Sequence, residues 1–230
     1  MQFVKTGMTR IDARGVSMSL KLHVFPLSPR AFKVMAAADY LGIDHELCFC
    51  DLTKGGQKRP EFLALNPNAK MPVLEEDGFA LWEANAILEY LATKKPAAGL
   101  MPQDARGRAD VLRWLLWDMA HWDSTCAIFM FERMVKPFFR KEEADPAEIA
   151  KGEELFHKYA RVLDGHLKGR KYVCGDKLTV ADFALGAPLN AAEAVQYPLA
   201  PYAEIKRWYA NLAALPCWQK TLAVKLPAAA

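Results

Sequence analysis

Hydrophobic and polar residues alternate from Leu20 to Phe25, with Leu20, Leu22 and Val24 set against Lys21 and His23. A period of two belongs to a strand whose two faces meet different surroundings. Pro26 ends it, and the period then changes. Val34, Ala38 and Leu41 recur at helical spacing over residues 30–41. Ser28 is placed to cap that helix, Pro29 to open it and Gly42 to stop it. A second strand is predicted over residues 45–52. The polar stretch 51–59, with Gly55-Gly56, reads as a loop, and residues 60–65 as a short helical turn closed by Asn66-Pro67. Two short strands follow, 72–75 and 79–82, joined through Asp77-Gly78, a dipeptide that favours a tight hairpin. Ile87, Leu88 and Leu91 mark a further helix over 83–93.

Strands joined through a helix pair in parallel, and strands joined by a tight turn pair antiparallel. The first third therefore predicts a four-stranded mixed sheet with helices packed on it. Residues 94–107 carry Pro96, Gly99 and Pro102 and read as a linker. Beyond it the period is helical throughout. A long helix is predicted over 104–135, interrupted at Lys136-Pro137. Another begins at Asp145-Pro146-Ala147-Glu148, which combines a cap, a helix-opening proline and an acid. Thr179-Val180-Ala181-Asp182 starts the next, which Pro188 should kink. Pro201-Tyr202 opens another and Leu215-Pro216 closes it. The expected organisation is an N-terminal extension (1–19), an α/β domain (20–93), a linker (94–103) and an all-α domain (104–230).

Composition changes this picture little. The 230 residues are 52% hydrophobic and 25% charged, with a net charge of +3. That excess gives no electrostatic case for nucleic acid or an anionic membrane as partner, and no apolar run approaches the ~20 residues of a membrane span. Residues 1–17 are polar, without the apolar centre of a secretory signal; Met18 offers an alternative start. The five cysteines, Cys48, Cys50, Cys126, Cys174 and Cys217, form no CxxC pair. They read as buried reduced thiols rather than a metal or dithiol site, in a reducing, cytoplasmic setting.

Four short motifs change it more. Pro26-Leu27-Ser28-Pro29 follows the first strand. Residues 57–74 read QKRPEFLALNPNAKMPVL, residues 81–88 read LWEANAIL and residues 178–182 read LTVAD. In this order and at these separations they resemble the glutathione S-transferases, over about Leu20 to Leu222. The serine-type branch, with theta-, phi- and zeta-like members, fits better than the tyrosine or cysteine types. The resemblance implies a thioredoxin-like first domain and an all-helical second one, with glutathione as co-substrate and no metal. It also implies a homodimer acting in detoxification on a small hydrophobic electrophile.

By that resemblance Ser28 is the catalytic residue, its hydroxyl stabilising the glutathione thiolate; as a residue it also reads as a plain helix cap, and the two roles can coexist. Met71-Pro72 stands where the family has a cis-proline, with the backbone of Met71 pairing with the glutathione cysteine like an added strand. Glu83 should accept the γ-glutamyl ammonium, and the N–H of Ala84 should hold the γ-glutamyl carboxylate. The family's usual serine is replaced at Ala84. Gln57, Lys58 and Lys70 lie where the family meets the glycine carboxylate, though each also reads as solvated loop. Trp117 and His121, with Leu27, are implied to wall the electrophile pocket. Trp114 and Trp122 belong to the same aromatic stretch, for which core or dimer packing is an equal reading. Asp182 is structural. The competing functional reading is a binder of glutathione or apolar ligands that keeps the fold without catalysis; a thiol transferase would want cysteine at position 28.

Overall fold

The computed structural model describes residues 4–6, 10–11, 17–18 and 20–226. The chain divides into two compact units, Met1–Ala98 with Pro216–Ala230, and Gly99–Leu215.

The first unit is built on a sheet. Its strands are β1 (Val4–Thr6), β4 (Leu20–Val24), β5 (His45–Phe49), β6 (Val73–Glu76) and β7 (Phe79–Trp82), in the order β1-β5-β4-β6-β7. β2 (Arg10–Ile11) and β3 (Ser17–Met18) pair separately. β4 runs parallel to β5 and antiparallel to β6, and β6 antiparallel to β7, which is the expected four-stranded mixed sheet. The N-terminal extension, 1–19, contributes to the sheet: β1 lies in it and pairs antiparallel with β5. An edge strand offers a row of unpaired N–H and C=O groups, and a short antiparallel segment laid along it satisfies them.

Leu20, Leu22 and Val24 are buried while Lys21 and His23 are half-buried, as the alternation required. Between β6 and β7, Asp77 and Gly78 have φ of 50° and 81°. Two successive positive φ values make the turn whose twist matches the strands it joins. Helix α1 (Pro29–Tyr40) buries Ala31 to Ala38 and packs against α3 (Ala84–Lys94); α2 (Pro60–Leu65) is one short turn.

The last helix, α9 (Pro216–Leu222), also belongs to this unit. The sequence reading left it with the helical domain 104–230. Its apolar face, Cys217, Trp218 and Thr221, is buried, and Trp218 meets Phe32 of α1 edge-on at 4.9 Å between ring centroids. Lys220 and Asp39 close the contact at 2.6 Å. Packing of a fully buried indole decides which unit the helix joins, and that lies beyond a local sequence pattern.

In the second unit the chain is helical: α4 (Ala105–Trp117), α5 (Asp123–Met130), α6 (Pro146–Leu167), α7 (Val180–Gly186) and α8 (Ala203–Ala213). Between α4 and α5, and again over Phe131–Arg140, the helix widens into π turns. The expected interruption at Lys136-Pro137 does not occur. Pro137 lies within the second π segment, and the helix ends at Lys141, whose φ is 59°. The looser turn accommodates the ring and the missing N–H that would break a regular α-helix. Asp145 caps α6 as read from the sequence, and Asp104, where the long helix was expected to begin, caps α4. Pro188 falls in a 3₁₀ turn, Ala187–Ala191, that continues α7. Asp182 is fully buried and accepts hydrogen bonds from the N–H groups of Thr179 and Val173, the Thr179 hydroxyl and Trp208 Nε1.

Candidate functional site

The pairing of the sheet brings the sequence-predicted residues of the first unit to one end. Val24 lies opposite Phe49, His23 opposite Val73, and Val73 opposite Trp82. Because β6 is antiparallel to β4, and β7 to β6, the chain leaving β4 and β5, entering β6 and leaving β7 meets the same edge. Ser28 follows β4, Gln57 and Lys58 follow β5, Met71-Pro72 precedes β6, and Glu83-Ala84 follow β7.

Ser28 is the cap of α1. Its φ and ψ are −81° and 121°, and its Oγ accepts a long hydrogen bond from Ala31 N–H at 3.4 Å. Its own N–H donates to Phe25 O at 2.9 Å, which fixes the turn through Pro26 and Leu27. The hydroxyl proton has no acceptor among the described residues, and the residue is only half-buried. Leu27 beside it is 51% exposed.

After β5, Gly56 N–H donates to Asp51 O at 2.8 Å, and a side chain at position 56 would lie 2.9 Å from that oxygen. Only glycine permits this closure, which sets the turn Gly56–Lys58. The Oε1 of Gln57 is buried with no hydrogen-bond partner among the described residues. Lys58 is exposed, as is Lys70.

The Met71-Pro72 bond is cis, as the family resemblance implied. The Met71 side chain is buried among Phe25, Cys50, Phe62 and Val73. Asn66, 2% exposed, holds the approach: its Nδ2 donates to Lys70 O at 2.6 Å, and its Oδ1 accepts from Asn68 N–H at 3.0 Å. Sequence reasoning passed over Asn66 as the end of a helical turn. The signal was available, since an asparagine before proline is a side chain suited to tying a loop.

Glu83 caps α3 with φ of 72°, and its side chain makes no capping bond. A positive φ at a non-glycine residue is strained by roughly 1 kcal/mol or more. Glu83 is exposed and Ala84 buried, so the carboxylate is free to meet a ligand while the first turn of α3 presents its N–H groups.

Cys48, Cys50 and Cys174 offer no rival nucleophile. Burial pushes the thiols of Cys48 and Cys50 up to about 11 and that of Cys174 to about 12. All three remain protonated near neutral pH, and the thiolate is the reactive form.

In the second unit, Trp122 and Trp114 are core residues: Trp122 Nε1 donates to Leu185 O at 2.9 Å, and Trp114 packs on His166 at 4.5 Å. Trp117 and His121 are half-buried and share Tyr159, His121 stacked on it at 4.8 Å and Trp117 edge-on at 5.9 Å.

Residues 18–93 match the N-terminal domain of glutathione S-transferases and residues 123–216 the C-terminal domain. The chain is 35% identical over 215 residues to glutathione S-transferase 3 of Zea mays, covering 90% of this chain and 96% of that protein. Among solved structures, an apo glutathione S-transferase III shares 32% identity with a TM-score of 0.79, over 92% of this chain and all of the other. A glutathione transferase of Burkholderia graminis with two glutathione molecules bound per subunit shares 27% identity at a TM-score of 0.77, over 89% of this chain and 88% of that one.

Proposed function

We propose, for a chain that belongs to the glutathione S-transferase family, that Ser28 activates the glutathione thiol for attack on a small hydrophobic electrophile. The observation that carries this reading is the convergence of Ser28, Met71 and Glu83 at one end of the sheet, with the Ser28 hydroxyl able to accept from Ala31 N–H and donate outward at once. A cysteine thiol has an ordinary pKa of about 8.5 and is little ionised at pH 7. Stabilising the thiolate by ~2.7 kcal/mol lowers that pKa by about 2 units and makes the anion dominant. A hydroxyl donor at the start of a helix supplies both a hydrogen bond stronger to S⁻ than to SH and positive potential from the helix. The proton leaves to solvent, and the sulfur forms its bond to the electrophile with one electron pair while the leaving group departs with another.

The rest of glutathione would lie along the same end. Met71 N–H and C=O pair with the cysteinyl backbone. Glu83 accepts the γ-glutamyl ammonium, and Ala84 N–H binds the γ-glutamyl carboxylate. Gln57, Lys58 and Lys70 receive the glycine carboxylate. Ala84 lacks the hydroxyl of the family's serine, a loss of about 0.5–1.5 kcal/mol in affinity that leaves the thiol chemistry intact. Leu27, exposed beside Ser28, is an apolar contact for the electrophile, and the half-buried rings of Trp117 and His121 carry the same proposal. The five free cysteines, four of them buried, support a reducing, cytoplasmic setting, and the family supports a homodimer in detoxification.

The test is the ultraviolet difference spectrum of bound glutathione. Thiolate absorbance in the wild type that is lost in Ser28→Ala, with binding retained, supports the assignment; unchanged absorbance in the variant removes Ser28 from that role, and bound glutathione without thiolate absorbance in the wild type leaves the reading of a non-catalytic binder.

A further inference from the structure

Asn66 ties together the chain between α2 and β6. It is buried. Its backbone N–H donates to Phe62 O at 2.9 Å, and its C=O accepts from Ala69 N–H at 3.0 Å. Its Nδ2 donates to Lys70 O at 2.6 Å, and its Oδ1 accepts from Asn68 N–H and Asn68 Nδ2, both at 3.0 Å. These partners fix the orientation of the amide. A carbonyl can only accept and a backbone N–H can only donate, so the nitrogen faces Lys70 and the oxygen faces Asn68. The loop held in this way is strained: Ala69 has φ of 52°, in the left-handed region that disfavours a residue with a Cβ.

The bond to Lys70 reaches the site through one peptide plane. Lys70 C=O and Met71 N–H belong to the same peptide unit, which is trans. In a planar trans unit the two groups point to opposite sides. With the oxygen turned to Asn66, Met71 N–H is turned away from it, and rotating the plane breaks the bond at 2.6 Å. Asn66 is itself anchored on the end of α2, whose Phe62 packs with Met71. An amide whose direction is set before the ligand arrives removes an ordering cost from binding.

We propose that Asn66 is a positioning residue of the glutathione site: by holding Lys70 C=O it aims Met71 N–H at the cysteinyl backbone of glutathione. The proposal rests on the pairing assigned to Met71 above. Asn66 acts through the peptide it holds, and ionisation of the thiol stays with Ser28.

Two variants and one measurement on the wild type test it. Asn66→Asp keeps the acceptor for Asn68 and sets a second oxygen against Lys70 O. Ala69→Gly relieves the left-handed φ and leaves the bond to Lys70 in place. For Asn66→Asp, glutathione affinity by calorimetry should weaken on the order of tenfold, with kcat at saturating glutathione within about threefold of wild type. Adding Ala69→Gly to it should raise the melting temperature and leave the affinity weak, because a relaxed loop does not aim the amide. A merely structural role would instead let Ala69→Gly restore affinity along with stability. Wild-type affinity in Asn66→Asp, or affinity regained in the double variant, overturns the proposal. Should Asn66→Asp not fold, hydrogen exchange in the wild type decides. The Asn66 side-chain amide should exchange slowly with or without glutathione, and the Met71 amide should slow when glutathione binds. An Asn66 amide that exchanges as fast as a solvated one in the free protein overturns the proposal alone. A Met71 amide that bound glutathione leaves unprotected overturns the pairing assigned to Met71, and this proposal with it.

Discussion

A hydroxyl at a helix cap can spend its oxygen on the helix and its proton elsewhere, and Ser28 is arranged that way. Its bond from Ala31 N–H is long, at 3.4 Å, so capping leaves room for a second demand. Glu83 shows the complementary case, a residue whose backbone is strained where its side chain is proposed to bind glutathione. Its φ of 72° suits glycine. Glu83→Gly should therefore raise stability by about 1 kcal/mol in a denaturant titration while weakening glutathione binding by at least tenfold. Gains in both, or losses in both, would contradict the assignment. The placing of Ser28 and Glu83 as helix caps at one end of the sheet was legible because their motifs are local. The burial of Lys33 was not: in a helical pattern a lysine reads as surface, and only packing of α1 against α3 shows it enclosed.

At the scale of elements, what was legible follows the same division. Caps, the Asp77-Gly78 turn and the strand alternation are short-range, and the structure has them where the sequence put them. Pro137 was read by its usual effect on an α-helix, and the π segment that accommodates it has no sequence signature of its own. That segment is secured by Glu132, buried, which accepts from Asp145 N–H at 2.6 Å and Lys136 Nζ at 2.7 Å. Burial pushes its carboxyl up, but the Asp145 N–H and the Lys136 ammonium outweigh that and hold it below its ordinary value. A depressed carboxyl contributes stability that is present above the unfolded pKa of about 4.3 and lost as pH falls through the folded one. The melting temperature should thus decline on acidification below about pH 4.5. Glu132→Gln should show a shallower decline and be less stable by about 1–3 kcal/mol at neutral pH. An unchanged acid limb in that variant would mean Glu132 carries none of it.

At the scale of the molecule, long-range packing set what the sequence left out. α9 follows its apolar face to α1, and β1 takes the open edge of β5; neither is written in residues adjacent to it. Phe79 and Trp82, on the edge strand β7, are 48% and 39% exposed, and the homodimer proposed from the family would cover apolar side chains of this kind. Light scattering should give twice the chain mass of 25.8 kDa, and Trp82→Glu should shift the population toward monomer. A monomer at micromolar concentration would argue against the homodimer.

The proposed chemistry turns on whether the hydroxyl of Ser28 holds an ionised thiol. Its most direct test is the pH titration of glutathione bound to the wild type and to Ser28→Ala, followed by thiolate absorbance. The wild type should titrate about 2 units below free glutathione, and the variant should lose most of that shift, with a 10- to 100-fold lower rate and similar affinity. Superimposable titration curves would contradict it.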